Sequence, residues 1–375
     1  MDNIKHYKHA KLERRMTDNF APNEIAVLGS KCSIIADFVQ KMSKKLQKKA
    51  KIAYFDASHS DSLEAPLFDN YTAHHSGNFS ATTRHLLNEY NERIRFNDYD
   101  LLFINGNHYK GAKQILILDN EKEASVKKRL DQLDRIQFVV KLRDDSNYFD
   151  FLVDEYPAIK NLKSYHIDEV DTIANHVYNL VQETIAPING LVLAGGKSKR
   201  MGQDKTQINY HGKSQLAHTV EQLENNLLNT FVSLAEDQDL DQYQVIQDKF
   251  VGLGVFGAIC SAFMKDPNKA WLALATDLPF VNNDLIKELL KRRNPSKVAT
   301  AVKGKSKQFV EPIITIYEPK AYPLLLSYLS QGYSCPRKAL INSDVEIVEV
   351  DDDMIRNVNT PQEYEEAIKE ISQKA

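Results

Sequence analysis

Short apolar runs rich in β-branched and aromatic residues alternate along the whole chain with longer stretches of helical spacing. In the first half, Glu24–Leu28, Lys51–Phe55, Leu101–Ile104, Gln114–Leu118 and Phe138–Val140 predict buried strands. Between them, Ile34–Leu46, Thr83–Ile94 and Ala124–Leu133 carry apolar residues at helical intervals, and a helix from about Asp168 to Glu183 closes this half. In the second half, strands are predicted at Gly190–Ala194, Thr230–Leu234, Trp271–Ala275, Val298–Val302, Pro312–Tyr317 and Val345–Val350. Such alternation predicts α/β architecture with largely parallel sheets. The turn-forming run Ala186-Pro187-Ile188-Asn189-Gly190 places a boundary between two domains, expected at 23–186 and 187–375 after a polar extension over 1–22. Thr360, Pro361 and Glu363 predict the start of a last helix, as N-cap, first helical residue and capping-box partner.

Composition narrows the class. At 375 residues the chain exceeds one ordinary domain, and 42% apolar with 26% charged residues is the balance of a globular protein. A net charge of −3 argues against a general nucleic-acid binder. Cys32, Cys260 and Cys335 are odd in number, far apart and without CxxC spacing, so neither a disulfide framework nor a zinc knuckle is indicated. A reducing, cytoplasmic compartment is expected. Met1–Phe20 is basic (Lys5, Lys8, Lys11, Arg14, Arg15) without an apolar core of signal-peptide length, which predicts a loosely ordered, solvated tail. No run is long and apolar enough to cross a bilayer.

The densest chemistry lies in Leu191-Val192-Leu193-Ala194-Gly195-Gly196-Lys197-Ser198-Lys199-Arg200-Met201-Gly202-Gln203-Asp204-Lys205. A strand runs into paired glycines, where backbone N–H groups can approach phosphate oxygens, and then into a cationic stretch able to neutralise a triphosphate. The GxxxxGK[ST] spacing of a P-loop is missing. A surface turn with solvated lysines would account for the glycines alone.

Taken whole, the segment resembles the LAGGxSxRMGxDK signature of the molybdenum cofactor guanylyltransferase (MobA-type) family, with every fixed position filled. The resemblance implies a Rossmann-like, GT-A-like nucleotidyltransferase fold in which Leu193, Ala194 and Gly195 touch the nucleotide and Gly196 shapes the loop. It assigns the phosphates to Arg200 and Lys205; Asp204 either orients Lys205 or starts a helix. Asp248 stands where the family has a nucleotide-contacting aspartate, although a lone aspartate at a strand end is more often a turn residue. Gly252-Leu253-Gly254-Val255-Phe256-Gly257 resembles the second glycine-rich stretch, which puts Gly254 beside the nucleotide. Thr276-Asp277-Leu278-Pro279 resembles the [CT]DxP motif, whose aspartate ligates magnesium; N-capping the next helix is the plain alternative for Asp277. Glu311-Pro312-Ile313-Ile314 resembles the strand beside the acceptor. Arg356-Asn357-Val358-Asn359-Thr360-Pro361 contains the NVNTP segment, whose Asn357 and Asn359 suit a pterin amide edge or a metal-bound water. One position departs: Ser233 stands where the family has asparagine, which puts a base or ribose contact in doubt. The resemblance covers roughly Gly190 to Ile371.

The first half carries strands entering polar turns at Ile25–Ser33, Ile52–His59 and Asp98–Gly106, and resembles the molybdopterin-guanine dinucleotide adaptor (MobB-type) family with its P-loop-NTPase-like fold. Its phosphate loop is eroded to Gly29, Lys31 and Ser33, and Asn105 replaces the glutamate on the third strand. His59, His74, His75 and His108 fit no metal spacing and read as exposed loop histidines.

The expectation is transfer of GMP from GTP to molybdenum-bound molybdopterin with magnesium, releasing pyrophosphate, with Lys205, Arg200 and Asp277 as the catalytic groups. Transient contact with cofactor-insertion proteins or client molybdoenzymes is implied, and neither nucleic acid nor membrane. Two alternatives stay open: another nucleotidyltransferase, using CTP or a sugar- or alcohol-phosphate acceptor, and a non-catalytic molybdenum cofactor carrier.

Overall fold

A computed structural model describes residues 11–58, 67–83, 88–195, 205–235 and 240–374, and the chain divides into two compact units: Thr17–Thr184, and Ile185–Ala375 together with Met1–Met16. The first unit runs β1 (Glu24–Leu28), α1 (Cys32–Leu46), β2 (Ile52–Phe55), β3 (Asn70–Ala73), β4 (Phe79–Thr82), α2 (Glu89–Phe96), β5 (Leu101–Asn105), β6 (Lys113–Leu118), α3 (Glu123–Lys127), β7 (Ile136–Lys141), α4 (Asp150–Glu155), β8 (Ser164–His166) and α5 (Val170–Gln182). Six strands form an all-parallel sheet in the order β2-β5-β1-β6-β7-β8. Its central strands are buried on both faces, which is why they read as unbroken apolar runs. Phe38 and Met42 of α1 and Ile173 and Val177 of α5 cover one face; Leu152 and Ile159 help cover the other.

Three local expectations change here. The helix predicted from Thr83 starts at Glu89, where the Asn88 side chain accepts from the Tyr90 N–H; residues 84–87 lie outside the described residues. The helix predicted over Ala124–Leu133 ends at Lys127 and gives way to a 3₁₀ turn at Leu130–Gln132. The antiparallel hairpin β3–β4 and the short edge strand β8 had no clear apolar signature, because the hairpin is exposed and β8 has only three residues.

The second unit runs β9 (Ile188–Leu193), α6 (Gln215–Glu224), β10 (Asn229–Leu234), β11 (Val245–Gln247), α7 (Val255–Lys265), β12 (Ala270–Ala275), α8 (Asn283–Lys291), β13 (Ala299–Gly304), β14 (Glu311–Tyr317), α9 (Ala321–Ser330), α10 (Pro336–Ile341), β15 (Val345–Val350) and α11 (Pro361–Lys374). The seven-stranded sheet has the order β11-β10-β9-β12-β14-β13-β15, and β14 alone runs against its neighbours. The turn signal at Pro187–Gly190 is overridden: β9 begins at Ile188, with Asn189 and Gly190 paired to both β10 and β12. Glycine is needed at 190 for close packing, since a Cβ there would lie 2.9 Å from Thr230 Oγ1 and 3.0 Å from Leu223 of α6.

The reading of a solvated tail fits the exposed side chains of residues 11–14 and of Met16, but the segment is also tied down by specific contacts. Met16 N–H donates to Asn268 Oδ1 (2.6 Å), Asn268 Nδ2 donates to the Arg14 carbonyl (2.9 Å), and Arg15 is largely buried near Glu318. Residues 17–22 bind into the first unit: the Glu24 carboxylate accepts from the N–H groups of Asn19, Phe20 and Ala112. Charged side chains in a short basic segment gave no hint of these buried partners.

Candidate active site

Three parallel neighbours of the second sheet, β10, β9 and β12, end together. Ser233, Leu193 and Ala275 stand in register across them, so Gly195 and Asp277 each lie two residues beyond one row. Ligands of open α/β sheets bind outside such carboxyl ends. The chain stays anchored as it leaves β9, because Ala194 N–H donates to the Ser233 carbonyl (3.3 Å) and the Thr276 hydroxyl reaches the Leu193 carbonyl (3.5 Å). Leu193 is buried, Ala194 half-buried and Gly195 exposed at the edge. A Cβ on Gly195 would come no nearer than 3.6 Å to its surroundings, so the fold itself does not demand glycine there.

Gly196, Arg200 and Asp204 lie outside the described residues. Lys205 opens a 3₁₀ turn, Lys205–Gln207, which leads into Ile208 and Tyr210. Those two side chains pack with Val358 and Ala367, and Phe280 and Tyr364 lie against the group. This small apolar cluster therefore brings the Lys205 turn, the loop after Asp277 and the Asn357–Asn359 segment together, although up to some 150 residues separate them in sequence. Val358 N–H donates to the Asp277 carbonyl (3.0 Å), which fixes the two loops directly. The capping box forms: Glu363 accepts from the Asn359 and Thr360 N–H groups (2.7 and 3.0 Å) and its own N–H reaches Thr360 Oγ1 (3.3 Å). Asp277 is half-buried, and burial pushes the Tyr210 hydroxyl's pKa upward, with the Tyr364, Asp277 and Glu363 charges adding to it.

Asp248 is turned inward. Its Oδ1 accepts from the Phe250 N–H and the Ser261 hydroxyl, both at 2.8 Å, so the turn-residue reading describes its observed bonds. It thereby holds the entry to α7, which Gly254 caps at φ +56° and ψ −134°, a conformation that side-chain-bearing residues avoid. Ser233 is buried within β10, which leaves it little surface to offer a ligand.

The sequence reading missed the cavity of about 590 Å³ beside the Asp277 loop, lined in part by His211, His218, Phe280, Asn282 and Asp353. His211 Nε2 lies 2.9 Å from the Pro279 carbonyl, and the His211 and His218 rings stack at 3.8 Å. Burial, reinforced by His211 and Lys213, pushes the His218 pKa down to about 4. Neither histidine sits in a spacing that would have marked it. Among the described residues no helix is long and apolar enough to cross a membrane.

Residues 190–346 match the MobA-like NTP transferase domain family. The chain is 31% identical over 183 residues to a molybdenum cofactor biosynthesis bifunctional protein of Synechocystis, an alignment spanning 48% of this chain and 53% of that protein. It is 29% identical over 197 residues to a probable molybdenum cofactor guanylyltransferase of Carboxydothermus hydrogenoformans, covering 49% of this chain and 96% of the relative. Among solved structures it is similar to molybdopterin-guanine dinucleotide biosynthesis protein A of Archaeoglobus fulgidus, at 20% identity and a TM-score of 0.42, over 50% of this chain and 99% of that one. The signature segment and the Asp277 loop fall in the range that matches the MobA-like NTP transferase domain family, as do strands β10 to β14 of the sheet that carries them.

Proposed function

We propose that the second unit is a molybdenum cofactor guanylyltransferase, which transfers GMP from GTP to molybdenum-bound molybdopterin and releases pyrophosphate. The observation that carries this reading is the convergence, at one sheet edge of a MobA-like domain, of the Gly195 turn, the Lys205 turn, Asp277 and the Asn357–Asn359 segment. The attacking phosphate of the pterin is already an anion, so the site needs positioning and charge stabilisation more than a strong base. Lys205 and Arg200 are assigned to the triphosphate, with Leu193, Ala194, Gly195, Gly196 and Gly254 shaping the nucleotide cradle. Asp248 supports that cradle from behind, and Ser233 backs the β9 edge. Asn357 and Asn359 are assigned to the acceptor.

Asp277 suits a magnesium ion: its carboxylate is half-buried two residues beyond the end of β12, and magnesium is commonly held by one or two carboxylates plus substrate phosphates. The chemistry the ion supplies there is neutralisation of phosphate charge during in-line displacement. Contact with cofactor-insertion proteins or client molybdoenzymes, and a cytoplasmic setting, belong to the same reading.

Pyrophosphate release by the full chain, with magnesium, molybdopterin-loaded carrier and each of GTP, ATP, CTP and UTP, tests it. Release with GTP only, and only with the pterin, is expected. Release with CTP instead makes the product a cytosine dinucleotide, and no release with any triphosphate leaves a cofactor carrier. Asp277→Asn keeps the backbone bond to Val358 and should lower turnover by roughly 10²–10³-fold while the fold persists; turnover equal to native removes Asp277 from the mechanism.

A further inference from the structure

The first unit holds a side-chain cluster that the transfer reaction does not use. The strand ends β1, β2 and β5 face one another at the carboxyl edge of the first sheet, and each contributes. Cys32 is the first residue of the 15-residue helix α1, whose N-cap, Lys31, supplies no side-chain hydrogen bond. Its Sγ lies 3.3 Å from His108 Nε2, and Asn107 Nδ2 approaches the same sulfur at 3.6 Å while donating to the Ser30 carbonyl at 2.9 Å. Asp56 Oδ1 lies 3.9 Å from His108 Nε2, and the Tyr54 hydroxyl donates to Asp56 Oδ2 at 2.8 Å. Asp56 faces the same imidazole nitrogen as the sulfur, so it serves as a charge partner for an imidazolium. Asn105, fully buried at the end of β5, is hydrogen-bonded to the Tyr54 side chain, and its Oδ1 accepts from the Asn107 N–H (3.1 Å), which ties Asn107 to the cluster.

We propose that Cys32 and His108 form an activated thiol site that takes a low-molecular-weight disulfide and holds half of it as a mixed disulfide. The thiol proton passes to His108 Nε2, and the Cys32 sulfur attacks one sulfur of the disulfide. A new S–S bond forms as the old one breaks, and the leaving thiolate takes the proton back from the imidazolium and departs as a free thiol. Cys32 is oxidised and the small disulfide reduced, with no other reactant. Three features activate the thiolate: the positive end of α1, the imidazole and the Asn107 amide. The surrounding charges are defined. Lys31 is paired with Glu121, which also meets Arg143; Asp119 accepts from the Ser30 hydroxyl; Asp56 and Tyr54 face the imidazole from β2.

The other two cysteines are internal comparators. Cys260 is fully buried, and burial pushes its pKa up to about 12; Cys335 is exposed and sits in no such cluster among the described residues. The test treats the native full chain with oxidised glutathione, and separately with 5,5′-dithiobis(2-nitrobenzoate), and maps each cysteine by peptide mass against pH. Because an ordinary thiol titrates near about 8.5, Cys32 should react roughly tenfold or more faster than Cys335 at about pH 6.5, and Cys260 should not react. His108→Asn should lower the Cys32 rate several-fold towards that of Cys335, the helix terminus and the Asn107 amide keeping the remainder, and Cys32→Ser should abolish the early modification. The native pH profile requires no variant, so a misfolded substitution leaves the proposal testable. Equal rates for Cys32 and Cys335 at about pH 6.5, or a Cys32 rate unchanged by His108→Asn in a folded variant, overturn it.

Discussion

Glu318 is the carboxylate that pairs with Arg293 and also acts on the charge of Arg15 in the second unit, and its isosteric replacement Glu318→Gln isolates that charge. The Arg293 guanidinium forks onto it, Nε to Oε1 at 2.6 Å and Nη2 to Oε2 at 2.7 Å, and the side-chain exposures are 12% and 2%. Arg15 from the N-terminal segment is the second cation: burial lowers its pKa, and the Glu318 charge works the other way. An amide in this place offers one acceptor and one donor, so a guanidinium N–H must face an N–H. Removing one member of a buried pair costs about 3–5 kcal/mol, and the bond Arg293 keeps to the Ala186 carbonyl (2.7 Å) places the expectation at the lower end, about 3 kcal/mol. For a unit of this size that corresponds to a midpoint lowered by roughly 6–12 °C. The protein provides its own reporter, since its single tryptophan, Trp271, lies fully buried in β12. Tryptophan fluorescence therefore follows unfolding of this unit. Adding Arg15→Met should restore part of the loss, because it removes a cation that no longer has its counter-charge. A Glu318→Gln midpoint within about 2 °C of native would refute the idea that this charge triad holds the unit together.

Two contrasts test the site's scaffold. Gly254→Ala places a side chain at φ +56° where nothing lies within 4 Å of its Cβ, so the cost is backbone strain alone, about 1–3 kcal/mol on the Trp271 transition; an unchanged midpoint would show that the turn relaxes freely. Gly195→Ala, whose Cβ meets only ordinary contacts, should leave that transition in place, so any loss of turnover reads the demand of the bound nucleotide. His218 gives the pH dependence. Its pKa falls to about 4 in the fold from an ordinary 6.5, so between those values the unfolded chain binds the extra proton. Its contribution is present above about pH 6.5 and is lost as the pH falls towards 4. His218→Phe should flatten the acid side of the stability profile, and an identical slope in the variant would assign the loss to other groups.

What could be read in advance was what is written locally. Unbroken apolar runs such as Leu101–Ile104 and Trp271–Ala275 became central strands because burial on both faces leaves no room for polar residues. Thr360, Pro361 and Glu363 announced their helix because a capping box closes within one turn. Gly190 shows where local reading stops: its glycine looks like a turn and is instead a clearance for Leu223, a residue of the next helix. The site divides the same way. The glycine-rich segment and Asp277 were singled out from contiguous residue types, but the contacts that bring the Asp277 loop to the turn after Lys205, Val358 bonded to the Asp277 carbonyl and Ile208 packed on Val358, join positions far apart in the chain. Cys32 and His108 make the point most sharply. Each was an isolated residue with no metal or disulfide spacing, separated by 76 positions, and only the crossover that lays β5 beside β1 turns them into neighbours 3.3 Å apart. Chemistry that rests on sheet order rather than on a motif is therefore invisible until the strands are placed, which is why the thiol cluster of the first unit had to be found in the structure.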